Sequence, residues 1–269
     1  MPTPSVSEHV AWREGYERAL SEPCGWWATT GVHWLGDGVH LVGSDPASTV
    51  LLAAGTPRHV GTIERDGFDV TFTPATSTGL RHGGASVDEP ITFTVTKEGH
   101  AFALAPATFV VLRRQDRIGV RTYDATAPAR RTGPGVAWFA YDPTLVVEAQ
   151  FVRATERRSV PIVYLMGEAD DVEVPGHLEF ELGGSALRLT PFTTSTGLHL
   201  VFRDLTSGAT TYGAGRFLMT GPPVDGRVVL DFNRAFHPPC AHSPHASCPI
   251  PPIENHLRVA IEAGERTPT

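Results

Sequence analysis

Short runs in which apolar and polar residues alternate, each closed by glycine, proline or aspartate, limit this chain more than any other feature. "FDVTFT" at 68–73, "ITFTVT" at 91–96 and "FVVLRR" at 109–114 are examples. A period of two puts every second side chain on one face of a strand, and runs this short give a helical repeat no room to develop. The texture continues through 145–152, 159–165, 176–192, 197–218 and 226–232. The predicted fold class is mainly β: a β-sandwich region followed by a β-barrel or meander. Gly183-Gly184 is predicted to turn a hairpin, because a two-residue loop of that kind needs positive φ angles.

One helix is predicted ahead of the strands. Ser5 and Glu8 form a capping box, and Trp12, Tyr16 and Leu20 then fall on one face, before Pro23 stops the segment. Trp26, Trp27 and Trp34 follow and are expected to anchor a core or the helix. A chain of 269 residues fits one large β domain or two smaller ones. "ATAPARRTGPG" at 125–135 has no periodicity, so the expected division is 1–125, the helix plus a sandwich-like domain, and 126–269, a barrel-like domain with a Pro/Cys-rich strap. The closing "LRVAIEAGER" is expected to be a strand ending in a glycine turn.

Net charge is -7 and no basic block occurs, which excludes a nucleic-acid groove or an anionic membrane surface as the main partner. No run of eighteen apolar residues is present, and the first twenty residues lack a basic-then-apolar leader pattern, so a cytoplasmic location is expected. Three cysteines, with Cys24 alone, suit a reducing compartment better than a disulfide framework, although Cys240 and Cys248 are spaced so that they could bridge.

The segment richest in chemistry is "NRAFHPPCAHSPHASCPIPPIENH", 233–256, with two cysteines, four histidines and six prolines. Zinc ligation by Cys240, Cys248, His237, His242 and His245 is disfavoured, because structural zinc sites take cysteines two to four residues apart. A thiolate at Cys240 or Cys248 with a histidine base is a second reading, and a carboxylate at Glu254 a third. Prolines 238, 239, 249, 251 and 252 fix φ and forbid a central strand, so a stiff strap over a pocket or barrel mouth is preferred. Asn233, Glu254 and Asn255 are expected to tie up its irregular backbone. Upstream, in "FRDLTSGATTYGAGRFL", Arg216 stands before an apolar pair. A buried guanidinium there requires Asp204, Asp231 or a bound anion as partner.

These residues carry a resemblance. "GWWATTGVHWLGDGVHLVGSD", "VVLRRQDRIGVRTYD", "TYGAGRFL" and "DFNRAFHPPCA…CPIPPIENHLRVAIEAGE" make the sequence, over nearly its whole length, similar to the DUF1684 family of uncharacterised bacterial and archaeal proteins. The family pattern matches Asn233, Pro238, Pro239, Cys240, Cys248, Pro249, Glu254 and Asn255, and implies no particular activity. The first half also looks faintly like a forkhead-associated (FHA) sandwich. That likeness implies a peptide-binding alternative at Arg58 and His59, although Ser44 and Thr56 stand where such modules carry arginine and serine.

The functional expectation is a small-molecule ligand, anionic or flavin-like, held in the second half by Asp204, Tyr212, Arg216, Asn233, Cys240, Cys248, Glu254 and Asn255. The alternatives are an enzyme, hydrolytic or flavin-dependent, working in the 204–255 region, and an FHA-like interaction module. No cofactor or metal is assigned from the sequence.

Overall fold

A computed structural model of the chain describes residues 5–76, 78–131 and 135–268. The helix forms over Val6–Ser21. Ser5 caps it as the sequence predicts: its Oγ accepts from the Glu8 backbone at 3.3 Å, and its own N–H donates to the Glu8 carboxylate at 2.7 Å. All else of any length is strand, and the strands divide between two compact units, 18–132 and 1–17 with 133–269.

Unit 18–132 is two sheets around one core. Six strands run in the order Thr29–Leu35, Arg117–Asp124, Ala107–Arg114, His100–Leu104, Arg81–His82, Ala85–Ser86. Five run in the order Val50–Leu51, Gly38–Gly43, Gly61–Asp66, Asp69–Pro74, Ile91–Thr94. Alternation explains the packing. Val70 and Phe72 of one sheet and Phe102, Phe109 and Val111 of the other all turn inward and are fully buried. The Phe72 ring lies 5.0 Å from Phe102 and 5.8 Å from Phe109, joining the layers. Each such phenylalanine contributes about 1.5–3 kcal/mol of burial relative to exposure.

The other unit carries a four-stranded sheet, in the order Ser185–Leu189, Ala169–Leu182, Val146–Val163, Arg227–Asp231. Beside it lies a three-stranded sheet, Phe192–Thr193, Leu198–Phe202, Arg216–Thr220, and a small pair, Ala137–Trp138 with Glu265–Arg266. Leu178, Leu189, Leu200, Phe202, Leu218, Leu230 and Phe232 form its core. Gly183 and Gly184 take φ of +58° and +75° and close the predicted hairpin, with Leu182 opposite Ser185. Among the described residues the sheets stay open and none closes into a barrel, so of the two predicted forms for this half the meander is found.

Three local expectations change. Trp26, Trp27 and Trp34 are only half-buried, and each lies under a guanidinium: Arg121 at 4.8 Å, Arg131 at 4.4 Å and Arg117 at 3.9 Å from the ring centres. The segment 125–135 contains a helical turn, Ala127–Arg130, while its residues 132–134 lie outside the described residues. The terminal "LRVAIEAGER" forms a ladder only at Glu265–Arg266; its irregular part is held by a buried ion pair described below. Among the described residues no helix is long and apolar enough to cross a membrane.

Candidate functional site

Arg216 and Asp204 are the deepest charges in the 133–269 region. Arg216 begins a strand, Asp204 follows the end of the neighbouring one, and their side chains are 1% and 0% exposed. Arg216 Nη2 donates to Asp204 Oδ2 at 2.7 Å and to the Ile261 carbonyl at 2.8 Å, while Nη1 donates to the Ala263 carbonyl. The same Asp204 oxygen accepts from the Ile261 backbone at 3.1 Å, and the other accepts from Thr206 N–H at 3.0 Å. Burial lowers the Arg216 pKa, opposed by the Asp204 charge. The pair therefore takes the place of a strand neighbour for 261–263, which explains the missing ladder. Of the two carboxylates expected beside Arg216, Asp204 is the partner; Asp231 sits 3.2 Å from Arg234 instead.

Asn233 and Asn255, both fully buried, act as side-chain staples. Asn255 Oδ1 accepts from Thr190 N–H at 2.7 Å, and its Nδ2 donates to the carbonyls of Thr190 and Val201 at 2.9 Å each. Asn233 does the same for Asp142, at 2.9 Å and 2.8 Å. A primary amide carries a donor and an acceptor in the spacing of a peptide group, so it pairs with a backbone as a strand would.

Glu265 is the hub of a third network. It is 2% exposed, and its Oε2 accepts from His237 N–H at 2.7 Å and from the Tyr16 hydroxyl at 3.1 Å. Its Oε1 lies 3.1 Å from His237 Nδ1 and 3.3 Å from His242 Nε2. Burial pushes the Glu265 pKa up, but the hydrogen bonds from His237 and His242, with the charge either imidazole carries when protonated, outweigh it and bring it down to about 2. His237 Nε2 accepts from the Tyr212 backbone N–H at 3.1 Å, so the proton of its imidazole sits on Nδ1, facing Glu265. That tautomer leaves no lone pair on Nδ1 for a metal, and among the described residues no group of three His, Cys, Asp or Glu side chains is arranged to hold one.

Cys240, Cys248 and Tyr212 sit on this scaffold. Pro238 and the short 3-10 turn Pro239–Ala241 carry Cys240, and its N–H donates to Cys248 Sγ at 3.2 Å. Cys248 is buried, whereas Cys240 and Tyr212 are half-exposed; none of the three cysteines is in a disulfide. The hydrogen bond from the Cys248 thiol is the largest influence on Cys240 and lowers its pKa; burial opposes it, and the Tyr212 hydroxyl adds to the lowering. Burial, then the charge and hydrogen bond of Cys240, push Tyr212 up to about 12. The strap beyond is fixed to the hairpin end of Val146–Val163: Leu165 N–H donates to the Cys248 carbonyl at 3.0 Å and Ile250 N–H to the Val163 carbonyl at 2.8 Å.

Of the remaining predicted residues, Glu254 pairs at 3.4 Å with the half-exposed Arg158. Arg58 is exposed and pairs with Asp45, and the Ser44 hydroxyl donates to the Thr56 carbonyl at 2.7 Å. His59 is exposed, and His245 is half-buried with its N–H donating to Ser243 Oγ at 3.3 Å. Sequence reasoning named His237 and His242 only as metal or base candidates and missed Glu265 and Tyr16. The available signal was an acid directly after Gly264 in an apolar segment; nothing linked it to a tyrosine 249 positions away.

The family model described as "Protein of unknown function (DUF1684)" matches residues 133–266, which include "TYGAGRFL" and the strap. The motifs quoted from the first half lie outside that match. Among solved structures, an uncharacterized protein of Haloarcula marismortui, determined by solution NMR, is 34% identical over 51% of this chain and 79% of its own, with a TM-score of 0.43. No curated protein matches the chain.

Proposed function

We propose, from the premise that this chain belongs to the DUF1684 family, whose function is unknown, that its 133–266 region binds a small molecule at the strap and presents Cys240 to it. The observation that carries this is the setting of the Cys240 sulfur. Cys240 is half-exposed, its own backbone N–H donates to Cys248 Sγ at 3.2 Å, and the Cys248 and Tyr212 side chains lower its pKa toward the thiolate. A lowered thiol pKa at an accessible position marks reactive cysteines, whereas packing cysteines are buried and inert. Rigidity supports the same reading, since Pro238, Pro239 and the Glu265 network hold the thiol and Tyr212 in place without a ligand. Arg216 is already neutralised by Asp204, which favours an uncharged ligand over an anion.

The test is labelling of the folded chain with iodoacetamide near neutral pH, followed by peptide mass spectrometry, with the exposed Cys24 as internal reference. Cys240 is expected to label faster than Cys24, in line with its shift toward the thiolate. Tyr212→Phe should move the pH profile of labelling at Cys240 to higher pH. Labelling of Cys24 with Cys240 untouched sinks the reading.

A further inference from the structure

We propose that Cys240 and Cys248 form a two-cysteine site that reduces a small hydroperoxide, Cys240 as the attacking sulfur and Cys248 as the thiol that closes a disulfide onto it. The inference deepens the reading of Cys240 given above and rests on it. Geometry is its basis. The Cys248 sulfur contacts the Cys240 backbone N–H at 3.2 Å, about 1.5 Å of bond away from the Cys240 Cα. The Cys248 side chain is also the largest influence lowering the Cys240 pKa. A buried thiol packed against a half-exposed, thiolate-leaning one is the arrangement in which an oxidised sulfur is met at once by a resolving sulfur. The prolines on both sides of the loop hold these partners together before any oxidant arrives.

The chemistry balances without a cofactor. The Cys240 thiolate attacks one oxygen of the hydroperoxide; an S–O bond forms, the O–O bond breaks, and the departing oxygen takes a proton from water to leave as an alcohol or water. Sulfur has given up two electrons and is a sulfenic acid. The Cys248 thiol, losing its proton to the hydroxide so generated, then attacks that sulfur; the S–S bond forms, the S–O bond breaks, and the hydroxide that departs becomes water with the proton Cys240 released to solvent on ionising. Two thiols and one hydroperoxide become one disulfide, one alcohol and one water, and a low-molecular-weight thiol reductant returns the pair to its starting state. Tyr212 is a positioning residue, its hydroxyl lowering the pKa of the attacking sulfur.

The experiment uses the full chain, reduced, desalted and exposed to one equivalent of hydrogen peroxide, then trapped with maleimide and weighed intact. The expected product has lost about 2 Da and takes one maleimide, on Cys24, where the reduced chain takes three under denaturing trapping. Cys248→Ser should stall at the sulfenic acid, about 16 Da heavier and captured by dimedone, and Cys240→Ser should consume no peroxide on that timescale. Tyr212→Phe should slow consumption severalfold and shift its pH profile upward. The wild-type mass needs no variant, so a misfolded mutant leaves the test intact. Peroxide that oxidises Cys24 while Cys240 and Cys248 still take maleimide overturns the inference. If iodoacetamide has meanwhile labelled Cys240 selectively, the binding reading survives that failure; if it has not, both fall.

Discussion

Replacing Arg216 by methionine removes a guanidinium of 1% exposure and leaves the Asp204 carboxylate, fully buried, with backbone and hydroxyl donors only. Stripping one partner from a buried ion pair costs about 3–5 kcal/mol. The Ile261 and Ala263 carbonyls also lose their donors, at about 1–3 kcal/mol for each one left dry. Asp204 keeps its bonds from Ile261 and Thr206, so a cost below the sum of these, about 4 kcal/mol and within the range for the stripped pair alone, is expected. With a urea slope of about 2 kcal/mol per molar, the unfolding midpoint followed by circular dichroism should fall by about 2 M. Arg216→Lys should fall between, because an ammonium keeps the charge but cannot span Asp204 and two carbonyls with a rigid fork. Combining Arg216→Met with Asp204→Asn should cost at least about 1 kcal/mol less than the two single changes added together, since each alone strands the other's partner. A midpoint shift under about 0.5 M, or strict additivity, refutes the claim that this pair holds 261–263 in place.

Asn255→Ala should destabilise by about 2–4 kcal/mol, because three buried backbone groups of Thr190 and Val201 lose their partner; urea titration reads it. Gly264→Ala should cost about 3 kcal/mol or more, as a Cβ there meets the Ala235 carbonyl at 2.2 Å, whereas Gly183→Ala meets open space and should cost about 1–2 kcal/mol of φ strain alone. Acid should act in two stages. His199, half-buried with its Nε2 enclosed and unpartnered, has its pKa lowered to about 4 by desolvation, so it contributes stability fully above its unfolded value of about 6.5 and progressively less as pH falls toward 4. Glu265, held at about 2, contributes fully above about 4.5 and loses that contribution between there and 2. Melting temperature against pH should therefore bend downward near 6.5 and again below 4.5. Glu265→Gln should remove the second bend, and its persistence would show that other carboxylates produce it.

Elements written in local pattern were legible without a structure. The Ser5–Glu8 cap sets the start of the helix, alternation decides which of Val70, Phe72, Phe102 and Phe109 face inward, and Gly183-Gly184 closes its hairpin, since each depends on neighbours within a few positions. Prolines 238, 239, 249, 251 and 252 likewise announce a strap, because a fixed φ and a missing N–H act wherever they occur. What the tertiary structure alone decided is how charge and polarity pair across long separations. Arg216 meets Asp204 rather than Asp231, Asn255 reaches Thr190, and Tyr16 and Glu265 converge on His237 and His242. A buried polar group must find a partner, but nothing in its own neighbourhood says which of several distant candidates the packing will bring to it. For the same reason "LRVAIEAGER", a strand by composition, stays irregular at 261–263, where the Ile261 and Ala263 carbonyls are taken by a guanidinium instead of a neighbouring strand.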